Sequence, residues 1–422
     1  MGLFRHKLLV GLLAVTLLAG SVSAQDATVP PEGGVIEAMR NAVNLHPAIK
    51  SRKDQLYALG FDLEAEKARR YPSLSVQAQA LSNDASQVFA RIQQPLWVGG
   101  RIDGSIDQAG MRLLSGQASF LTLKRQLMEE TGAAYAVLVG ARQRLAAAEL
   151  NVREHEKLLG LISRRQVGSI ASEADVRLAR SRLTLAVAQR EQLKGELSRA
   201  LTNLHALTQQ PLEGVVPIPD TVMALPEHSG LVAAIVEISP TVKQRLVDIE
   251  VARAEVELRR ADLMPSLYAR VDQDIYATDR YGTLPAETRA GVVLEGSLEG
   301  AGFSGWKRVR SADSRVEAAR KDVEVARNDA RRQAQALLAE MEALQSVLVS
   351  NDQLVTATEE TLASFMRQYD AGRKTWVDVL NAQRELSDAR LSLEQTRSSL
   401  QQNSLRLAVQ LGQLDSAMET QP

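Results

Sequence analysis

The residues in this chain best suited to chemistry are a glycine-rich hexapeptide and five histidines. Gly300-Ala301-Gly302-Phe303-Ser304-Gly305 matches the dinucleotide-binding spacing, in which backbone amides at a strand-to-helix turn cradle a pyrophosphate. That chemistry needs a strand apolar throughout and a helix of ordinary βαβ length. Here the preceding segment alternates polar and apolar residues, and the following helix is several times too long. His6, His46, His155, His205 and His228 share no metal-ligand spacing. No serine, histidine and acid set stands out, and Asp272 and Asp274 are spaced to share one face of a strand rather than to work as an acid and base. With no cysteine, disulfides, thiolate metal sites and a lipidated cysteine are excluded. The expectation is a protein with no catalytic residues, no cofactor and no metal.

The elements that carry these residues begin with an address. Arg5 and Lys7 precede an apolar run from Leu8 to Leu18 and the small-residue end Val22-Ser23-Ala24, the pattern of a secretory signal peptide over 1–24. The run is about 11 residues, short of the roughly 20 of a spanning helix. No later run approaches that length, so membrane residence would have to be as strands. Charge is balanced, with 50 basic and 51 acidic side chains, so no overall field attracts nucleic acid. Aromatics make up 4% of residues, which suits long paired helices better than a thick core.

The chain repeats itself. Leu45-His46-Pro47 is answered by Ile238-Ser239-Pro240, and Tyr71-Pro72-Ser73-Leu74 by Met264-Pro265-Ser266-Leu267, both at an offset of 193 positions. Gly168 with Asp175-Val176 is answered by Gly372 with Asp378-Val379, the glycines now 204 apart. The added length falls after Pro265, where the second copy carries the longer segment 276–288. The expected units are a first repeat at 25–210, a proline-rich linker at 211–226, a second repeat at 227–413 and a tail at 414–422.

Each repeat should open with a helix, Ile36 to Arg70 in the first, ending near a proline. The hydrophobic period then changes from about 3.6 to 2. Strands are expected at 73–81 and 88–96, and again at 266–276 and 288–298. In the third, Leu267, Ala269, Val271 and Ile275 alternate with Tyr268, Arg270, Asp272 and Asp274. Ala90 and Ile92 oppose Arg91 and Gln93, and Ala290, Val292 and Leu294 oppose Arg289 and Glu295. Strands of about this length, apolar outside and polar inside, are those of a transmembrane barrel, although a half-exposed soluble hairpin alternates equally well. Arg91, Arg270, Asp272, Asp274, Arg289 and Glu295 would face the lumen. Tyr71, Trp97, Tyr268 and Trp306 lie near the same end of the four strands, where one membrane interface would be.

After the strands come helices at 103–166 and 304–369, each about 95 Å long. Their seams step by fours and threes, Leu127, Thr131, Ala134, Leu138, Ala141, Leu145, Ala148, Val152, His155, Leu159 and Ile162 in the first, with a counterpart from Val323 to Tyr369. That is a coiled-coil pattern with left-handed supercoiling. The chain turns at Gly168 and Gly372 and returns through helices at 172–208 and 375–413. A short entering helix and a returning helix, stacked end to end, match one long helix, which puts the linker halfway along the rod.

With Pro47 and Pro240, the two Pro-Ser-Leu strand starts, Gln94-Pro95-Leu96-Trp97-Val98-Gly99-Gly100, and each tip glycine followed by Asp-Val, the chain resembles the TolC family of outer-membrane channels along nearly all its mature length. The resemblance implies an α+β membrane protein: a homotrimer in which each chain gives four strands to a twelve-stranded barrel and its helices to a periplasmic tunnel. Four strands alone would leave open edges in lipid. It implies an outer-membrane exit duct of a Gram-negative cell, working with a periplasmic adaptor protein and an inner-membrane ABC or proton-driven pump. A constriction would fall at Asp378 and Asn381, with Asp175 at the matching place in the first repeat. Where the family pattern has a second acid, Asn381 has an amide, a departure from a doubled acidic ring, and the alternative reading of Asp378 is a cap on its helix near Thr375. Adaptor contacts would fall at Val167, Gly168, Ser169, Gly372, Arg373 and Lys374. The block Gln94 to Gly100 and the stretch Gly300 to Trp306 look more like the protein-secreting, type I branch than the drug-efflux branch. The competing reading is a soluble periplasmic coiled-coil adaptor or scaffold.

Overall fold

A computed structural model describes residues 34–81, 85–211, 216–218, 230–279, 282–283, 285–296 and 303–415. The expected signal peptide, most of the linker, the tail beyond Asp415, and the first part of the glycine-rich hexapeptide lie outside them. Two entering helices, α1 (Val35–Leu45) and α2 (Pro47–Ala68), lead to strands β1 (Ser73–Leu81) and β2 (Ala85–Trp97). Then come the long α3 (Arg101–Val167) and the returning α4 (Glu173–Thr208). The order recurs as α5 (Leu231–Ile238), α6 (Pro240–Ala261), β3 (Ser266–Asp279), the two-residue β4 (Gly282–Thr283), β5 (Thr288–Glu295), α7 (Phe303–Asp370) and α8 (Trp376–Gln410). No helix among the described residues is long and apolar enough to cross a membrane.

The single helix expected from Ile36 to Arg70 is two. His46 sits at ψ 132, outside the helical region, because the ring of Pro47 clashes with a helical conformation at the residue before it. Pro47 then starts α2, where a missing N–H costs nothing, and the His46 Nδ1 accepts from the Ala48 N–H at 3.2 Å. Ser239 and Pro240 break α5 from α6 in the same way.

At 67 and 68 residues, α3 and α7 are rods of about 100 Å. In the half nearer the strands, α6 packs between them, and in the other half α8 does. On the far side of α3 lie α2 and then α4. Close approach is set by small residues: a Cβ on Gly140 would fall 2.3 Å from Ser398 Oγ, and one on Gly132 2.5 Å from Met39 Cε. Midway along the rod, Val35, Met39, Tyr135, Leu204, Ile218 and Leu405 form one apolar cluster. The Tyr135 hydroxyl donates to the Val216 carbonyl at 2.8 Å and accepts from its N–H at 2.9 Å, fixing the described part of the linker there.

The expected seams divide into two kinds. On α3, Leu127, Thr131, Ala134, Leu138, Ala141, Ala148, Val152, His155 and Ile162 are buried. On α7, Val323, Ala326, Leu337 and Met341 are buried, but Val355, Leu362, Phe365 and Tyr369 are only half-buried. Exposed Val325, Val347, Val349 and Leu354 on α7, and Leu185 and Leu201 on α4, mark the two open edges of the helical wall.

Candidate channel lumen and helical tips

The sheet runs β1-β2-β3-β5, all antiparallel, with β4 pairing the far end of β3. The β2–β3 pairing joins the two repeats, so residues 181 positions apart become direct neighbours: Arg91 lies opposite Asp272. Among the described residues, the outer edges of β1 and β5 have no partner strand.

Period-two geometry gives the sheet two unlike faces. On one, Leu74, Val76, Ile92, Val271, Val292 and Leu294 are all exposed; Val76 keeps 62% of its surface and Val292 63%. On the other, the six residues expected in a lumen come together as three ion pairs. Arg91 Nε and Nη2 donate to the two Asp272 carboxylate oxygens at 2.7 and 3.3 Å. Arg289 Nη2 donates to Asp274 at 3.1 Å, and Gln87 Nε2 reaches the same carboxylate at 2.8 Å. Arg270 pairs with Glu295 and also donates to Gln93 Oε1 at 3.3 Å. The polar face is therefore charged but internally neutralised, each pair spanning neighbouring strands as cross-strand pairs do.

Two irregularities alter the expected alternation. A bulge leaves Ile275 without a partner on β2, since Asp274 lies opposite Phe89 and Tyr276 opposite Val88. A second leaves Leu96 unmatched between Pro95 and Trp97, which brings Trp97 opposite Leu267 on the apolar face. Of the four proposed interface aromatics, Tyr71, Trp97 and Trp306 are exposed. Tyr268 is only half-buried and shares the parity of Arg270 and Asp272, so strand geometry puts it on the polar face and removes it from a lipid-facing set.

At the opposite ends of the rods, each returning helix starts with a capping box. Asp378 Oδ2 accepts from the Thr375 N–H at 2.9 Å and from its hydroxyl at 2.8 Å, while Thr375 Oγ1 accepts from the Asp378 N–H at 3.3 Å. Asp175 and Ser172 repeat the arrangement, with 3.2, 2.7 and 3.1 Å for the corresponding bonds. Both acids proposed for a constriction thus hold helix starts. The Thr375 backbone N–H, then its hydroxyl, hold the Asp378 carboxyl below its ordinary value, with a further contribution from Lys374. Asn381 lies one turn along α8 and is half-buried.

The tip glycines are not equivalent. Gly372 adopts φ +72, and the Arg373 N–H closes back on the Gln368 carbonyl at 2.8 Å. In the first tip the matching bond runs from the Ile170 N–H to the Arg165 carbonyl, also 2.8 Å, and the left-handed residue is Ser169 at φ +60. Gly168 sits at φ −79, so glycine does not supply the reversal there. Ser169 matches Gly372, as Ser172 matches Thr375 and Asp175 matches Asp378. Val167 is exposed. Lys374 lies over the Phe365 ring at 4.2 Å, and Arg373 is exposed. Sequence reasoning missed Arg165, which pairs with Asp370 across α3 and α7 and stacks on Tyr369 at 4.6 Å. Its signal was a basic residue in the last turn of one rod and an acid ending the other.

His155 is buried, 4% exposed, with no partner for its Nδ1. Burial first, then nearby Arg182, lower its pKa. It is a neutral seam residue and does not line an open surface of this chain. A buried Gln383–Asn151 hydrogen bond of 3.1 Å joins α8 to α3 one helical turn away along α3.

A sheet of four main strands with open edges, one apolar exposed face and one ion-paired face, is continued by rods of about 100 Å, a fold shared with outer-membrane channels. Solved structures agree: the outer-membrane channel OprN matches with a TM-score of 0.76 at 18% identity, covering 90% of this chain and 89% of that one. The transmembrane channel protein CusC matches at 0.78 and 17%, covering 89% and 91%. The open-state MtrE outer membrane channel of Neisseria gonorrhoeae matches at 0.75 and 17%, covering 90% and 88%. Residues 231–413 match the family model of outer membrane efflux proteins. No curated protein matches this chain in sequence.

Proposed function

We propose that the protein is the exit duct of a three-part export machine, passing cargo passively across the outer membrane of a Gram-negative cell from an inner-membrane pump and a periplasmic adaptor. The observation that carries this reading is the sheet: an exposed apolar face backed by paired charges, with an unpaired strand on each side. In lipid an open edge leaves backbone groups unsatisfied, and three copies supplying four strands each close a twelve-stranded barrel. The unpacked edges of the helical wall, on α7 and α4, close a tunnel in the same operation.

In the assembled trimer, Asp378 and Asn381, with Asp175 beside them, form the periplasmic constriction. Val167 to Ser169 and Gly372 to Lys374 form the tips that meet the adaptor. The Arg91, Arg270 and Arg289 pairs with Asp272, Glu295 and Asp274 line the barrel. The favoured cargo is a type I secreted protein, on the strength of the block Gln94 to Gly100 and the stretch ending at Trp306; small toxic compounds are the second cargo class.

The test is fractionation followed by bilayer recording. The mature protein should resist carbonate extraction from outer membranes and give discrete conductance steps in planar bilayers. Release by carbonate would replace the duct with a soluble periplasmic scaffold. Deleting the gene and measuring both secreted protein and drug tolerance separates the two cargo classes.

A further inference from the structure

Where β5 hands over to α7, Phe303, Trp306, Lys307 and Arg310 fall at i, i+3, i+4 and i+7, one face of the first two turns of the helix. All four are exposed, Phe303 at 73% and Trp306 at 47%. The opposite face is packed: a Cβ on Gly305 would lie 2.3 Å from Leu263 Cδ2. The two cations flank the indole, Lys307 Nζ at 5.4 Å and the Arg310 guanidinium at 4.4 Å from the ring centroid. Four neighbouring cations at this end of the rods are spent on carboxylates: Arg69 on Glu66, Arg70 on Asp103, Arg259 on Asp262 and Arg260 on Glu257. Lys307 and Arg310 have no carboxylate partner within ion-pair distance among the described residues. Nor is there an acidic residue in the first turn of α7.

Two unneutralised cations held over an exposed tryptophan, beside an apolar residue and next to the end of an apolar sheet face, match one kind of surface. Aromatic rings settle at headgroup depth, long basic side chains extend from apolar stems toward phosphate, and basic clusters at a membrane boundary select anionic lipid. We propose that this face of α7 is a docking site for anionic phospholipid, phosphatidylglycerol being the simplest member, in the periplasmic leaflet of the outer membrane. It rests on the duct reading above. The indole and Phe303 take the glycerol and upper acyl region, and Lys307 and Arg310 take the phosphate. The overall charge balance of the chain conceals this, because the free cations are local.

The test uses the full-length protein reconstituted in nanodiscs of phosphatidylcholine with a minor share of phosphatidylglycerol, and measures the ratio of the two lipids retained after detergent stripping. Wild type should retain phosphatidylglycerol preferentially. The Lys307→Gln/Arg310→Gln variant should lose that preference by about 30-fold, from roughly five-fold per charge near a membrane surface, while its conductance stays as in wild type. Equal preference in wild type and variant, or none in wild type because a neighbouring copy covers the face, overturns the proposal. Displacement by millimolar inorganic phosphate would make it a free-phosphate site instead. Failure of wild type to enter nanodiscs at all sinks the duct reading and is recognisable as such.

Discussion

Replacing each tip glycine with alanine should have unequal effects. Gly372 at φ +72 has nothing within 4 Å of a built Cβ, so the whole penalty is backbone strain, about 1–2 kcal/mol for an L residue in the left-handed region. Gly168 at φ −79 offers a Cβ only ordinary contacts, the nearest at 3.6 Å, and should accept alanine freely. The reporters are the amides that close the two turns, Arg373 N–H on Gln368 and Ile170 N–H on Arg165. Hydrogen exchange limited by local opening converts 1–2 kcal/mol into about 5- to 30-fold faster exchange at Arg373 in Gly372→Ala. Gly168→Ala should leave Ile170 within about two-fold, and Ser169→Gly should slow it, the relief of strain being offset in part by the freedom glycine adds to the open state. Equal acceleration in the two alanine variants would refute the assignment of Ser169, rather than Gly168, as the counterpart of Gly372.

At the proposed constriction, Asp378→Asn keeps an acceptor for the Thr375 N–H and removes the charge, whereas Asp378→Ala also removes its half of the capping box. Cation block of bilayer conductance should weaken in both; weakening in the alanine variant alone would leave Asp378 a cap and nothing more. His155 gives a pH dependence. Its folded pKa lies below the unfolded value of about 6.5, so between the two the unfolded chain holds the extra proton and stability falls as pH drops through that window. Thermal unfolding at pH 7.5 and pH 5 should show a larger loss in wild type than in His155→Leu, and identical losses would remove His155 from the account.

Much of this architecture was legible because it rests on periodicity. The change from a 3.5-residue seam around Leu138 to strict alternation around Val271 is a local property of the chain, and so is the break that Pro47 imposes on His46. Features created by pairing were not legible. The bulge at Ile275 exists only against Val88 and Phe89, and the ion partner of Arg91 is 181 positions away. The six charges on the polar face were legible as residues, but their mutual neutralisation appears only once β2 and β3 lie side by side. Tyr268 was misplaced because nearness to a strand end was weighed above its parity. The tip glycines misled for a similar reason: equal residue type suggested equal conformation, while the closing bonds to Arg165 and Gln368 fix the correspondence one residue over.

In the proposed duct, one face of the sheet meets lipid and the other meets water. The chain has no cysteine, so single cysteines can be placed along β3 at Leu267, Tyr268, Ala269, Arg270, Val271 and Asp272 without altering a background. Spin labels on the reconstituted protein, relaxed by lipid-soluble oxygen or by a water-soluble nickel chelate, should alternate with period two: oxygen favoured at Leu267, Ala269 and Val271, nickel at Tyr268, Arg270 and Asp272. Uniform nickel accessibility at all six positions would contradict a membrane-spanning sheet.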